Sequence, residues 1–392
     1  MKLRQLHIKG FKSIVDQSIT LGRVNCFIGA NGTGKSNILE AVGLLSAAAS
    51  GRVDDEAIIR RGVRAGLPRL FKTSFAETRI PPHIFLEARG DPATAFRVSL
   101  LNPLEKPVPA WSFKSESLWS GNTEIVTRAP RGKKKLNLDE KAGLAALKLV
   151  DLEPNDPASL LMKALQGYSI YSPNTPALRA TVQDLQTRPP VGLVGGGLAE
   201  GFVALKRSVD ENRLDDVLEL IDWVSNVSAT ESASAILSPA IPRAKQVLKF
   251  TDRFMASWRN TLTAYDASEG ALYVLFAAIL CLSPSSPSIF AIDNLDSALN
   301  PRLVMRLVGR LATWLRDANP DRQLLFTAHN PTVLDGLDLD DEEVRLFAVE
   351  RNSQGHTTVR RIDISPELRL MNEQYPLSRL WAMGNLGAVP NV

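Results

Sequence analysis

The 392-residue chain is short of several things, and each shortage excludes a class. Cysteine occurs twice, at Cys26 and Cys281, both within apolar segments. That leaves no disulfide framework, and buried thiols in a reducing cytoplasm are expected. The longest unbroken apolar run, residues 271–282, falls short of the roughly 20 residues that span a bilayer; it reads as a buried helix, and no membrane contact is expected. No secretory signal precedes the strand-like pattern that begins at Met1-Lys2-Leu3-Arg4-Gln5. An excess of one charge is missing too. Lys and Arg number 46 and Asp and Glu 42, so the net +4 is compatible with a nucleic-acid partner and too small to require one. What is present, 44% hydrophobic and 22% charged residues, is ordinary for a soluble globular protein, and the length suits about two to three structural units.

The first 30 residues alternate as strands do, and Val24-Asn25-Cys26-Phe27-Ile28 is apolar enough for a strand covered on both faces. A glycine cluster follows, then an apolar helix over 37–49. Between 67 and 127 short strand candidates, 84–88 and 96–100, are punctuated by Pro and Gly, which predicts an antiparallel sheet. Helical patterns dominate 157–227, interrupted by a loop that ends in Gly195-Gly196-Gly197, read as a flexible joint. Beyond 245 the pattern alternates again: a helix over 271–282, a strand over 289–292, a helix started by Pro301 and ended by Asn319-Pro320, a strand over 324–327 and a closing hairpin over 344–349 and 358–362. The expected organisation is an N-terminal lobe (1–130), a mostly helical insertion (131–245) and a C-terminal lobe (246–392).

Gly29-Ala30-Asn31-Gly32-Thr33-Gly34-Lys35-Ser36 fits G-x-x-x-x-G-K-[ST] in full. Glycines let successive N–H groups turn inward on a β-phosphate, and the helix that starts there adds the positive end of its dipole. In that frame Asn31, Gly32, Thr33 and Gly34 supply the cradle, Lys35 neutralises β- and γ-oxygens, and the Ser36 hydroxyl joins Mg²⁺. The preceding apolar strand and following helix are the context such a P-loop needs. ATP and Mg²⁺ are the expected cofactors.

Ser288-Ile289-Phe290-Ala291-Ile292-Asp293 is an apolar strand ending in a carboxylate, a Walker B pattern in which Asp293 holds Mg²⁺. Ser297-Ala298-Leu299-Asn300 is one residue from the S-A-L-D loop that follows Walker B in ABC ATPases. Leu325-Phe326-Thr327-Ala328-His329 then puts a histidine just past another apolar strand, the place of their switch histidine. Ser268-Glu269-Gly270, before the buried helix, resembles the core of their signature; it also reads as a plain N-cap, and both roles are compatible.

In this order the motifs resemble those of the RecF/SMC-like ABC ATPases and, within them, the AAA-type ATPases related to the OLD family. Gly10-Phe11-Lys12-Ser13-Ile14 is similar to the N-terminal motif of the family, whose basic residue, here Lys12, reaches the phosphates. Tyr168-Ser169-Ile170-Tyr171, Leu178-Arg179 and the tail from Leu377 to Gly387 are similar to bacterial members, including ATPase subunits of anti-phage defence systems such as Septu and PARIS. The resemblance implies an α/β fold, an ABC-type P-loop NTPase head with an antiparallel β-subdomain and a helical insertion. It also implies a homodimer or higher oligomer in which each ATP lies between one P-loop and the partner's Ser268, Glu269 and Gly270.

Two departures matter. Where the family has Glu after the Walker B Asp, this chain has Asn294, an amide that orients water but accepts no proton at neutral pH. Slow hydrolysis is expected, unless Asp296 or a partner supplies the carboxylate. The catalytic set is then Lys35, Asp293, Asn294 and His329. No glutamine occurs between Gln17 and Gln166, so a Q-loop residue is not found early in the chain. Elsewhere, Arg131-Gly132-Lys133-Lys134-Lys135 reads as a solvated hairpin tip, with contact to DNA or RNA phosphates as the alternative. Asp338-Leu339-Asp340-Asp341-Glu342-Glu343 reads as an exposed loop, with docking of a basic partner as a further role, and Trp381 as packing against the ATPase core. Little chain is left for a nuclease, so nuclease or toxin activity is expected on another polypeptide. The leading reading is an ATP-gated switch controlling an effector in bacterial defence. The second is a RecF-like ATPase acting on DNA in repair or chromosome maintenance. A transporter subunit is disfavoured by the N-terminal motif, the insertion and the atypical signature.

Overall fold

A computed structural model describes residues 1–76, 79–91, 93–102, 111–128, 139–231 and 246–386. The basic run at 131–135 lies outside the described residues, as does Gly387. The chain opens with β1 (Lys2–Phe11), β2 (Ile14–Thr20), β3 (Val24–Ile28), α1 (Lys35–Ala49) and α2 (Asp55–Ile59). Then come β4 (Ile84–Asp91), β5 (Thr94–Leu101), β6 (Ser112–Ser120), β7 (Thr123–Arg128), α3 (Leu144–Lys148), α4 (Pro157–Gly167), β8 (Ile170–Tyr171), α5 (Thr175–Leu178), α6 (Leu198–Ser208) and α7 (Glu211–Leu218). β9 (Val224–Glu231), β10 (Gln246–Asp252) and β11 (Thr261–Thr263) lead to α8 (Glu269–Leu282), β12 (Ile289–Ile292), α9 (Pro301–Ala318) and β13 (Gln323–Ala328). β14 (Val344–Arg351), β15 (Thr357–Ile362), α10 (Pro366–Gln374) and α11 (Leu377–Ala382) close the described chain.

The central sheet has the order β15-β14-β3-β13-β12-β8, parallel throughout except for β15. Parallel strands need cover on both faces, and the alternation along each strand shows how it is provided. Cys26, Phe290, Ile292, Leu324 and Phe326 enter a core shared with α8 and α9. Phe27, Ile289, Ala291 and Leu325 enter a second core shared with α1 and the antiparallel sheet β2-β1-β4-β5-β6-β7. The fold is therefore α/β with an antiparallel β-subdomain, as the motifs imply.

α8 is apolar all round because it is buried all round, from Ala271 to Leu282. α9 is amphipathic: Val304, Leu307, Val308, Leu311 and Leu315 face the core. On its other side Arg310 pairs with Asp216 of α7 at 2.7 Å. Its N-terminus is capped by Asn300, whose Oδ1 accepts from Leu303 N at 2.9 Å. Asn and Asp cap equally well, which explains how the chain tolerates Asn at the end of its D-loop.

Three expectations need correction. The helical reading of 157–227 misses β8, which is too short to show a period and nevertheless extends the central sheet beside β12. It also misses β9, which pairs antiparallel with β10 in a three-stranded sheet, β11-β10-β9. Along β9 only Val224 and Val227 are buried, and its Val, Ser, Thr and Asn content favours strand over helix. Third, Gly195-Gly196-Gly197 is a packed turn rather than a loose joint. Asp184 Oδ2 accepts from Val194 N and Gly196 N, and a Cβ on Gly195 would come within 2.3 Å of Leu178. Trp381, 8% exposed, sits in the α8–α9 core as expected.

Candidate nucleotide-binding site

The C-terminal ends of three neighbouring parallel strands deliver the site, the usual place for ligands in such sheets. β3 runs into the P-loop, β12 into Asp293 and β13 into His329. They bound a cleft of about 350 Å³ lined by Asn31, Gly32, Gly34, Lys35 and Ser36 on one side and Asn294 and His329 on the other. Thr33 lies beneath it, its hydroxyl donating to Ala30 O at 3.0 Å.

Lys35 is 5% exposed and folded back on its own loop, with Nζ donating to Gly29 O at 2.7 Å and Ala30 O at 2.9 Å. Burial pushes its ammonium down to about 8, against the pull of Asp293 and Asp296. Nζ also lies 3.3 Å from His329 Nδ1, while His329 Nε2 is 2.9 Å from Asn294 Oδ1. Since Lys35 can only donate, the contacts fit a neutral imidazole with its proton on Nε2. Burial and the Lys35 charge hold the His329 pKa below its usual value, in keeping with that form.

The Ser36 hydroxyl donates to Asp293 at 3.0 and 3.1 Å, and Thr327 Oγ1 donates to Asp293 Oδ1 at 2.6 Å. Ser36 and Asp293 thus present hard oxygen donors side by side, which fits Mg²⁺. Among the described residues no cluster of three or more His, Cys, Asp or Glu side chains could hold a metal alone.

Asn294 has a left-handed backbone (φ 57°), a conformation Asn tolerates better than most residues. Asp296 is occupied as well: its Oδ2 accepts from His329 N at 2.9 Å and Asn330 N at 2.5 Å, while Oδ1 is buried without a partner. The carboxylate that sequence offered as a substitute base clamps the histidine loop instead. Gln166 is also accounted for, donating to Ala49 O at the far end of α1 from the P-loop.

Lys12 does not line the phosphate cleft. Its ammonium pairs with Glu40, a buried carboxylate on α1 that also accepts from Arg64 Nε at 2.6 Å. Burial opposes ionisation of Glu40, but Arg64 and Lys12 together hold its carboxyl below the usual range. Burial in turn lowers the Lys12 ammonium. Ser268, Glu269 and Gly270 are also outside the cleft, at the start of α8, with Ser268 and Glu269 exposed. Ser268 makes no side-chain cap bond, so capping does not account for that serine. Arg179 steadies the segment by donating to Ala267 O at 3.2 Å.

Sequence reasoning missed Arg64 and Arg351, which line the cleft from segments remote from every motif. It also missed Thr327, whose hydroxyl accepts from Asn294 N at 2.8 Å while donating to Asp293. The one available signal was a hydroxyl two residues before the switch histidine. Glu40 was signalled too, as a carboxylate in an otherwise apolar helix, which needs a partner.

The segment 29–36, Asp293 and His329 converge at the ends of β3, β12 and β13, the arrangement expected of an ABC-type ATPase head. Residues 1–68 match the family described as AAA ATPase domain, and residues 244–335 the one described as AAA domain, putative AbiEii toxin, Type IV TA system. The chain is similar to the DNA replication and repair protein RecF of Arthrobacter sp. (strain FB24), at 31% identity over 26% of each chain. With RecF of Clavibacter michiganensis subsp. michiganensis (strain NCPPB 382) it shares 29% identity over 35% of this chain and 33% of that protein. The matched part thus spans about a quarter to a third of these relatives' length. Among solved structures it shares its fold with an Smc head bound to the C-terminal winged-helix domain of ScpA. There the TM-score is 0.56 at 13% identity, over 94% of this chain and 100% of that one. A Smc head with an extended coiled coil, bound to the C-terminal domain of ScpA derived from Pyrococcus furiosus, gives 0.51 at 13% identity over 95% and 99%. The chain is thus similar in part to RecF and shares the fold of Smc heads.

Proposed function

We propose that the chain binds Mg-ATP and acts as an ATP-gated dimerising switch. Lys35 and the P-loop amides hold the β- and γ-phosphates, Ser36 and Asp293 hold Mg²⁺, and His329 meets the γ-phosphate. Mg²⁺ supplies charge neutralisation on the phosphate oxygens when bound. The observation that carries this reading is the direct wiring of the three motifs: Ser36 to Asp293, and Lys35 through His329 to Asn294. Ser268, Glu269 and Gly270 stand outside their own cleft, which supports their use in trans against a second copy's nucleotide. Asn294 orients water without taking its proton, so turnover is slow and the closed pair is long-lived.

In this reading the switch controls a separate effector, a nuclease or toxin, in a bacterial defence complex in the cytoplasm. The likeness to defence ATPases in the motifs and tail supports it, as does the description of the family matched at 244–335, which names a toxin–antitoxin system. Among the described residues no helix is long and apolar enough to cross a membrane. A second reading, a RecF-like ATPase whose ligand is DNA, is favoured by the two RecF relatives. Calorimetry with Mg-ATP on the wild type and Lys35→Ala tests the nucleotide step: heat in the first and none in the second is expected. Light scattering with and without ATP tests pairing. DNA affinity that falls steeply with salt would favour the second reading.

A further inference from the structure

Two cavities meet at the mouth of the P-loop. Beside the phosphate cleft lies a second one, of about 420 Å³, between the turn at Lys12-Ser13 and the segment 64–75. Asn37, Arg64 and Arg351 line both. His329 and Asn294 line only the first, and Lys12 and Phe71 only the second.

Arg351 arrives from the opposite end of the sequence, yet its backbone is fixed to the P-loop. It ends β14 and pairs in register with Thr357 of β15. Thr357 Oγ1 donates to Thr33 O at 2.7 Å and lies 2.6 Å from Ser13 Oγ. A Cβ on Gly34 would meet that hydroxyl at 2.2 Å, so the hairpin can seat here only against glycine. Arg64, the other cation at the junction, is partly neutralised by Glu40. Arg351 is exposed, and among the described residues its guanidinium makes no ion pair and no hydrogen bond, leaving its donors for a ligand.

We infer that Arg351 is a nucleotide-contacting residue that donates to the α-phosphate and ribose of a nucleoside polyphosphate lying across both cavities. This rests on the nucleotide reading proposed above. The γ end of the ligand is fixed by His329 and Asn294, which stay within the first cavity. A chain of phosphates running from there into the second cavity passes Arg351 at its nucleoside end. The contact is thus common to nucleoside di- and triphosphates and absent from pyrophosphate, which fills the β and γ positions alone. Arginine's planar fork suits two adjacent oxygens better than a lysine's single ammonium.

The test is calorimetric titration of the full chain with Mg-ATP, Mg-ADP and magnesium pyrophosphate, for the wild type, Arg351→Ala and Arg351→Lys. Thermal unfolding without ligand serves as the folding control, and it should not move because the side chain is exposed and unpaired. Arg351→Ala should weaken ATP and ADP alike, by about tenfold or more, as loss of a charge-assisted hydrogen bond does. Arg351→Lys should fall between, and pyrophosphate should change far less. Loss confined to ATP would move the contact to the γ-phosphate and overturn the inference, as would nucleotide affinities indifferent to either substitution. A wild type that binds no Mg-ATP would instead bring down the nucleotide reading itself.

Discussion

Replacing Asn294 by Glu puts the two roles of this position in opposition. The backbone there is left-handed, at φ 57°, and a Glu in that region costs about 1 kcal/mol more than an Asn. The amide Oδ1 also accepts from the neutral His329 ring at 2.9 Å. A carboxylate in its place accepts the same proton more strongly and raises the histidine's pKa from its depressed value. Stability should therefore fall by about 1 kcal/mol, offset in part by the stronger histidine contact. Turnover should move the other way. A positioned general base is worth on the order of 100-fold or more, or about 2.7 kcal/mol of barrier, and in the wild type Asp296 Oδ2 is engaged by the backbone of His329 and Asn330. The assay is phosphate release at saturating Mg-ATP, with chemical denaturation alongside. A variant that binds ATP normally but turns over within twofold of the wild type would refute the assignment of the missing base to this position. A variant more stable than the wild type would refute the strain argument.

Lys35 gives a pH signature. Burial lowers its ammonium to about 8 from an ordinary 10.5, so the nucleotide-free protein sheds the charge a triphosphate needs as pH climbs past 8. Mg-ATP affinity should then decline, approaching tenfold per unit; constant affinity from pH 7 to about 9.5 would contradict it. The unliganded fold behaves oppositely. Between the two values the unfolded chain holds more protons, so this residue adds stability as pH rises from 8 to 10.5. Asp296→Asn weakens two charge-assisted bonds, to His329 N and Asn330 N, by about 1–2 kcal/mol in total, and should speed hydrogen exchange at both amides. Unaltered protection there would remove the clamp from the account. Gly34→Ala places a methyl 2.2 Å from Thr357 Oγ1 at a φ of 107°, and should lower the melting temperature and abolish Mg-ATP heat together. Retained binding would mean that the hairpin contact is dispensable.

The residues legible in the sequence share one property: each sits at the end of an apolar strand, inside a short contiguous pattern. Gly29 to Ser36, Asp293 and His329 were found because β3, β12 and β13 announce themselves by buried runs and because a parallel sheet brings such ends together. Arg64 and Arg351 carry no local pattern, and only tertiary packing brings them to the cleft. Lys12 shows the converse. Its motif placed it near the phosphates, but the sequence alone did not pair it with Glu40, which lies one helix away. β8 was invisible for a simpler reason: two residues cannot display a period.

The packing around the signature bears on how a nucleotide could be felt at a distance. A Cβ on Gly270 would come within 3.1 Å of the Leu303 side chain and 3.8 Å of that of Leu299. Leu299 belongs to the loop that starts at Asn294, and Leu303 to the first turn of α9 that Asn300 caps. The start of α8 and the loop after Asp293 are therefore packed as one piece. Asp296 ties the middle of that loop to the backbone of His329 and Asn330, just past the end of β13. In the proposed dimer, a γ-phosphate that draws His329 away from Asn294 would load this loop through Asp296 and carry the strain to the surface presented to the partner. Small displacements suffice, because packed side chains transmit movement rather than absorb it. On this view Asp296 is of more use as a tie than as a base, which is consistent with a switch whose informative state is the bound nucleotide rather than its hydrolysis.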